Sequence, residues 1–427
     1  MSSLSRRDFA RYLSLAGGAA LLPASVLARG DWSHLSAAPL PQTPASPDER
    51  FWSEVRARFL IPREIAFLNA ANLCPTSLPA IEALEKNLRS YERSPSPAAR
   101  SELMKEREAA RLLLAEALRV TPEEIVLTRN TTESNNLVSS GLDLKAGDEV
   151  LVWADNHPSN LNAWRVKSQR FGFTVVTVPT PAAHPGPGGY VELFAKAFTP
   201  RTKLVAITHV SSNSGDLLPA GEICAAARAR GILSLVDGAQ AFGALDLDLG
   251  AMKPDFYTGS MHKWPCGPKE KGLLYANRAV HDRLHLSIVG LYGGQVGLSR
   301  TFEANGQRDD ASIAALVESL TLQGTIGRLV IERRARQLAQ ALKDGLRAMP
   351  GVRLWTDSDP ARSAAIVIFQ PGSADPRRVG SALSDAGIVC TIRGGRQNPG
   401  VRFSPHFYNT MEDIERTLAA VRKSLTA

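Results

Sequence analysis

The sequence predicts an α/β protein, with a large domain built on a mostly parallel sheet and a smaller α+β unit after it. Three observations lead there. Compact apolar runs bounded by turn residues recur between Glu149 and Tyr275, the pattern of strands buried on both faces. Helical stretches separate several of them, which makes β-α-β repeats and a sheet with helices on both sides. The chain is 427 residues long, more than one small core needs and enough for two units.

The elements follow in order. Ser5-Arg6-Arg7-Asp8-Phe9 precedes an apolar stretch from Tyr12 to Leu22 and the small-residue pattern Val26-Leu27-Ala28. That is the order of a bacterial signal peptide, here of twin-arginine type, with cleavage expected after Ala28. The apolar stretch is shorter than the roughly 20 residues of a membrane span. Residues 29–50 read as a flexible leading segment and 51–75 as a segment joining the smaller domain. Residues 76–310 read as the large domain, and 311–427 as a long connecting helix with the small one. Helices are expected over Leu78–Tyr91, Ala99–Leu118, Asn160–Phe171 and Gly221–Arg230. Strands are expected over Glu124–Thr128, Glu149–Trp153, Thr174–Val178, Leu204–Thr208, Leu233–Asp237 and Gly272–Tyr275. A long helix is expected over Ser312–Met349. Strands follow over Val352–Trp355, Ala364–Phe369, Ile388–Thr391 and Gly400–Ser404, with helices over Pro376–Ala386 and Thr410–Ser424.

Composition excludes several classes. The net charge is +8, but no run of five or six Lys/Arg and no basic stripe with aromatics appears, so no nucleic-acid partner is expected. Four cysteines, Cys74, Cys224, Cys266 and Cys390, form no CxxC pair. They make neither a disulfide framework nor a zinc site, although one bridge in an oxidising compartment stays open.

Five motifs carry chemistry. A lone lysine is ordinarily solvated. Lys263, in Tyr257-Thr258-Gly259-Ser260-Met261-His262-Lys263-Trp264, instead sits among small, aromatic and apolar residues. Partial desolvation there makes an amine nucleophilic toward aldehydes. An apolar strand delivers Asp237 at its C-terminal edge, with Gln240 three residues on. Such a carboxylate either caps the next helix or keeps a pyridine nitrogen protonated. Thr131 and Thr132 stand where a strand gives way to a helix, suited to capping or to binding a phosphate. His157 follows the strand Glu149–Trp153, as a turn residue or as a ring that stacks on a cofactor. Asn213 follows the strand Leu204–Thr208, as a loop residue or a hydroxyl partner.

Their order, at the ends of successive strands, resembles the class V enzymes dependent on pyridoxal 5′-phosphate (PLP). These include isopenicillin N epimerases, cysteine desulfurases and kynureninases. The stretches DFYTGSMHKWPCGPKEKGLLYA and LVDGAQAFGALDLDL look most similar to the epimerase-like branch. The resemblance implies the aspartate aminotransferase-like PLP transferase fold, type I, with a seven-stranded large sheet and a homodimer. It implies PLP carried by Lys263 as an internal aldimine. Asp237 and Gln240 then meet the ring nitrogen and ring oxygen, His157 stacks, and Asn213 meets the ring hydroxyl. Thr131, Thr132, Ser260 and His262 contact the phosphate. Gln307 belongs to the loop a neighbouring subunit lends to that phosphate, where the family more often has Thr. Arg402 clamps a substrate carboxylate.

One departure matters. The loop Ile392–Pro399 lacks the cysteine on which desulfurases form a persulfide and offers Arg393 and Arg396 instead, which favours an acidic substrate. A twin-arginine signal on this fold resembles the periplasmic pyoverdine-tailoring enzymes. That implies a siderophore-peptide or other small-molecule substrate with a free α-amino group, and the twin-arginine translocase as partner during export. The leading expectation is conversion of the siderophore's glutamate side group to succinamide. A periplasmic aminotransferase giving the α-ketoglutaryl form, an epimerase and a catalytically inactive envelope protein are the alternatives.

Overall fold

The computed structural model describes residues 18–19, 31–36, 38–290, 294, 296–394 and 398–426. The paired arginines and the expected cleavage site lie outside them. Two compact units emerge. One comprises Cys74–Ser211 and Leu217–Leu329, and the other comprises the chain up to Leu73, Ser212–Asp216 and Val330–Ala427. The large unit therefore reaches two helices, Asp310–Ala314 and Leu316–Ile326, past residue 310.

In chain order, β1 (Gly18–Ala19) and β2 (Ala66–Phe67) precede the large unit. Its strands are β3 (Ile125–Thr128), β4 (Glu149–Trp153), β5 (Thr174–Val178), β6 (Thr202–Thr208), β7 (Leu233–Asp237), β8 (Phe256–Ser260) and β9 (Gly272–Ala276). They form one seven-stranded sheet in the order β3-β9-β8-β7-β6-β4-β5. Strands β4 to β8 are mutually parallel, while β9 runs antiparallel to both β8 and β3. The C-terminal ends of β3, β4, β6, β7 and β8 thus share one edge, where open α/β sheets bind ligands.

Every residue of β7, β8 and β9 is buried. Val150, Val152, Leu204, Leu235 and Phe256 join Trp164 in the core on one face. Burial of each such side chain stabilises the fold by about 1.5–3 kcal/mol. Two strand expectations need correction. Thr174–Val178 is an edge strand with an exposed start, not one buried on both faces. Phe256–Ser260 is a full central strand that periodicity passes over, because Thr258, Gly259 and Ser260 interrupt its apolar run.

The other unit holds β10 (Arg353–Leu354), β11 (Val367–Gln370), β12 (Ile388–Val389), β13 (Thr391–Arg393) and β14 (Gly400–Phe403). Its antiparallel sheet runs β1-β13-β14-β11-β10, and β12 pairs in parallel with β2. The expected single strand Ile388–Thr391 is therefore two, with buried Cys390 between them. The expected long helix over Ser312–Met349 is three helices, Asp310–Ala314, Leu316–Ile326 and Arg328–Arg347. A break separates the last from what precedes it. Gly327 makes that break by taking φ +92, a conformation open to glycine and costly for other residues. Among the described residues no single helix is long and apolar enough to cross a membrane.

Candidate active site

The sheet edge of the large unit gathers most of the motifs. Asp237 ends β7, buried, and its carboxylate is held on both oxygens. Oδ2 accepts from Asn135 Nδ2 at 3.0 Å and Oδ1 from the Ala239 N–H at 3.1 Å. Asn135 is oriented in turn by Thr258, whose hydroxyl donates to Asn135 Oδ1 at 3.0 Å. Such a paired amide fixes a buried carboxylate that would otherwise be costly. Gly238 is required beside it, because a Cβ there would lie 2.1–2.3 Å from the Tyr257 ring.

Behind this carboxylate, His209 Nδ1 and the Tyr257 hydroxyl are hydrogen-bonded at 3.2 Å, both buried. Burial pushes the His209 pKa down to about 4. Burial first, then the charge of Asp237, raises Tyr257 well above its ordinary value. Both groups are therefore neutral at pH 7.

The helix Thr131–Gly141 begins beside the end of β8. Asn130 caps it, its Oδ1 accepting from the Glu133 N–H at 3.0 Å. The Thr131 N–H donates to Ser260 Oγ at 2.9 Å, and the two hydroxyls are 2.8 Å apart. Two hydroxyls at the N-terminus of an 11-residue helix suit a phosphate dianion. Close approach requires Gly272, since a Cβ would stand 2.6 Å from Asn130 Cα. Thr132 is exposed and lines a cavity of about 460 Å3 with Arg129, Asn136 and Ile288.

Lys263 follows Ser260 by three residues and is half-buried. Its neighbour Trp264 donates Nε1–H to Gln240 Oε1 at 2.9 Å, which ties the turn after β7 to the lysine turn. His262 is pushed down to about 4 by burial, with repulsion from Lys263 and Lys269 adding to it. Next along the edge, His157 is exposed and caps the helix Pro158–Phe171, its Nδ1 accepting from the Ser159 N–H at 3.3 Å. Asp155 beside it accepts from Ser211 through a short hydrogen bond that joins the loops after β4 and β6. Thr208, paired in register with Asp237, keeps a buried Oγ1 with no hydrogen-bond partner among the described residues. A bound polar group would complete it.

The arrangement fits PLP, with a carboxylate for the ring nitrogen, hydroxyls and a helix terminus for the phosphate, and a half-buried lysine three residues after Ser260. Gln307 lies elsewhere in this unit, exposed, and lines a cavity of about 520 Å3 with Tyr91, Arg107 and Glu303.

Asn213 and the arginines belong to the other unit. Asn213 Oδ1 accepts from Arg393 Nη2, and its carbonyl accepts from Asn398 at 2.8 Å. Arg393 and Arg402 both donate to the Ser212 carbonyl, at 2.9 and 3.3 Å. Arg402 also donates to Thr391 Oγ1 at 3.3 Å, while its buried Nε has no hydrogen-bond partner among the described residues. Burial, and then repulsion from Arg393, lower its pKa to about 9. Arg396 lies outside the described residues. Sequence reasoning missed Asn135, Thr208 and the Gln240–Trp264 bond. Only the position of Asn135, one turn inside the helix that starts at Thr131, hinted at any of these.

The family model for aminotransferase class V matches residues 67–417. An isopenicillin N epimerase of Streptomyces clavuligerus is 31% identical, over 87% of this chain and 97% of its own. A probable cysteine desulfurase of Xylella fastidiosa strain 9a5c is also 31% identical, over 92% and 98%. A solved C-DES variant, with glycine covalently linked to its PLP cofactor, superposes with a TM-score of 0.79. It is 25% identical and covers 88% of this chain and 99% of its own.

Proposed function

Because the chain belongs to the aminotransferase class-V family, we propose that it is a periplasmic PLP enzyme acting on the glutamate side group of a pyoverdine siderophore. The product is the succinamide form. PLP supplies an aldehyde and an electron-accepting ring. The rest is the work of the chain. Asp237 holds the proton on the ring nitrogen, and Thr131, Ser260 and the helix terminus receive the phosphate. Lys263 supplies the amine that binds the aldehyde and then moves the proton at the substrate α-carbon. His157 covers the ring, and Gln240 meets the ring oxygen.

The observation that carries the substrate class is Arg402. It is buried, with no carboxylate in ion-pair range among the described residues, and a second guanidinium raises the cost. A buried cation without an anion is costly until a ligand brings one. A glutamyl group linked through its side-chain carboxyl brings a free α-carboxylate and a free α-amine. The sequence Ser5-Arg6-Arg7-Asp8-Phe9 supports export in the folded state, which lets a cytosolic cofactor travel with the protein. The enzyme is assigned a homodimeric state by family resemblance.

Succinamide formation must balance. The α-carboxylate leaves as CO2 and the α-carbon is oxidised to an amide, so dioxygen is consumed and water formed. Purified enzyme given the glutamyl siderophore should take up oxygen and shift the siderophore mass to the succinamide form. A mass matching α-ketoglutarate, with no oxygen uptake, assigns transamination instead. A deletion strain that secretes an unchanged side-group profile overturns the substrate. The relatives named isopenicillin N epimerase favour a second reading, inversion at the α-carbon, which leaves the mass unchanged and inverts the chirality.

A further inference from the structure

A second constellation lies just past Lys263 and serves none of these steps. Cys74 is the first residue of the large unit. Cys266 closes the turn after the lysine, its N–H donating to the Lys263 carbonyl at 2.9 Å. Each is 1% exposed, and a side-chain hydrogen bond joins the two thiols. Backbone contacts lock their segments together. The Cys74 N–H donates to the His262 carbonyl at 2.8 Å, and Thr76 Oγ1 to the Gly267 carbonyl at 3.1 Å. Lys269 lies over the pair, donating to the Cys74 carbonyl at 3.3 Å and to Thr76 Oγ1 at 2.8 Å. Burial pushes the Cys266 thiol well up, and the Lys269 ammonium partly offsets it. The other cysteines are placed differently. Cys224 bonds Ser234, and Cys390 faces Arg402.

We propose that Cys74 and Cys266 are a redox-active dithiol that closes to a disulfide, tying the start of the large unit to the turn that carries Lys263. The oxidant is a small-molecule disulfide such as oxidised glutathione. The Cys74 thiolate attacks one glutathione sulfur and releases the first glutathione. The Cys266 sulfur then attacks Cys74 and releases the second. Two protein thiols are oxidised, one disulfide is reduced, and both protons end on glutathione.

The test uses full-length protein with its cofactor, incubated with oxidised glutathione, then denatured and titrated for thiols. The thiol count should fall from four to two, the intact mass should fall by about 2 Da, and dithiothreitol should restore both. Peptide mapping should recover Cys74 joined to Cys266. Cys74→Ser should keep all three remaining thiols, while Cys266→Ser should stop at a Cys74–glutathione adduct and keep two. Cys224→Ser should still lose two, which separates the pair from a folding defect. A wild-type count that stays at four, or a stable glutathione adduct with no internal link, overturns the proposal. Neither outcome touches the PLP assignment.

Discussion

Asn135 Nδ2 donates to Asp237 Oδ2 at 3.0 Å, and the two residues come from a helix and a strand 102 positions apart in sequence. The amide thereby orients the carboxylate assigned to the cofactor ring nitrogen. Asn135→Leu should weaken this by the worth of a hydrogen bond to a charged group, about 1.5–3 kcal/mol. Cofactor affinity should fall roughly 10- to 100-fold, with a shifted pH midpoint in the bound-cofactor absorbance. An unchanged midpoint would show that Asn135 does not act through Asp237.

Lys263→Ala should abolish covalent cofactor capture. Borohydride treatment of the wild type should add the reduced cofactor mass to the peptide containing Lys263, and the variant should show none. Turnover should drop at least about 10²- to 10⁴-fold, the usual contribution of a positioned proton-transfer group.

Gly238→Ala places a methyl group against the Tyr257 ring. Overpacking of this kind costs about 1–3 kcal/mol, so the variant should melt at lower temperature. Tyr257→Leu in the same background should restore part of the loss. Equal melting of wild type and Gly238→Ala would refute the clash.

His209 is held neutral by burial, its pKa falling from 6.5 to about 4. Between those values the unfolded chain binds a proton that the folded chain does not, so stability drops as pH falls from 6.5 toward 4. The contribution is on the order of 3 kcal/mol, at about 1.4 kcal/mol per unit. Urea midpoints of the wild type should decline more steeply over this window than those of His209→Gln. Parallel curves would remove His209 as the cause.

Arg402→Ala removes the buried guanidinium assigned to the substrate carboxylate. KM should rise about 30-fold or more, matching the 2–5 kcal/mol of a buried charged pair that loses one partner. Arg402→Lys should recover only part, because an ammonium lacks the bidentate fork. A KM unmoved by either change would place the carboxylate elsewhere.

Much of this site is legible in the sequence because parallel strands bring their C-terminal ends to one edge. Asp237 and Thr131 could be placed by recognising strand ends alone, whereas Ser260 came only with the family resemblance. What escaped depends on side-chain pairing across distant segments. Asn135 reads as a plain helical residue, and nothing local says that its amide meets Asp237. The central strand Phe256–Ser260 was hidden by its own small residues, and the break at Gly327 by an otherwise helical run. Asn213 follows β6, and the sequence could not show which segment its side chain meets. The chain leaves the large unit at Ser212, and the Asn213 side chain accepts from Arg393.

The ladder between β2 and β12 has a neighbour in the bond from Thr391 to Asn69, at 2.6 Å across 322 residues. Partners so far apart on the chain emerge from the ribosome at opposite ends of synthesis. The first-made segment must therefore wait, unpaired, until nearly the last residue exists before its own unit can close. For a protein expected to be exported already folded, that delay makes completed translation a precondition of the journey.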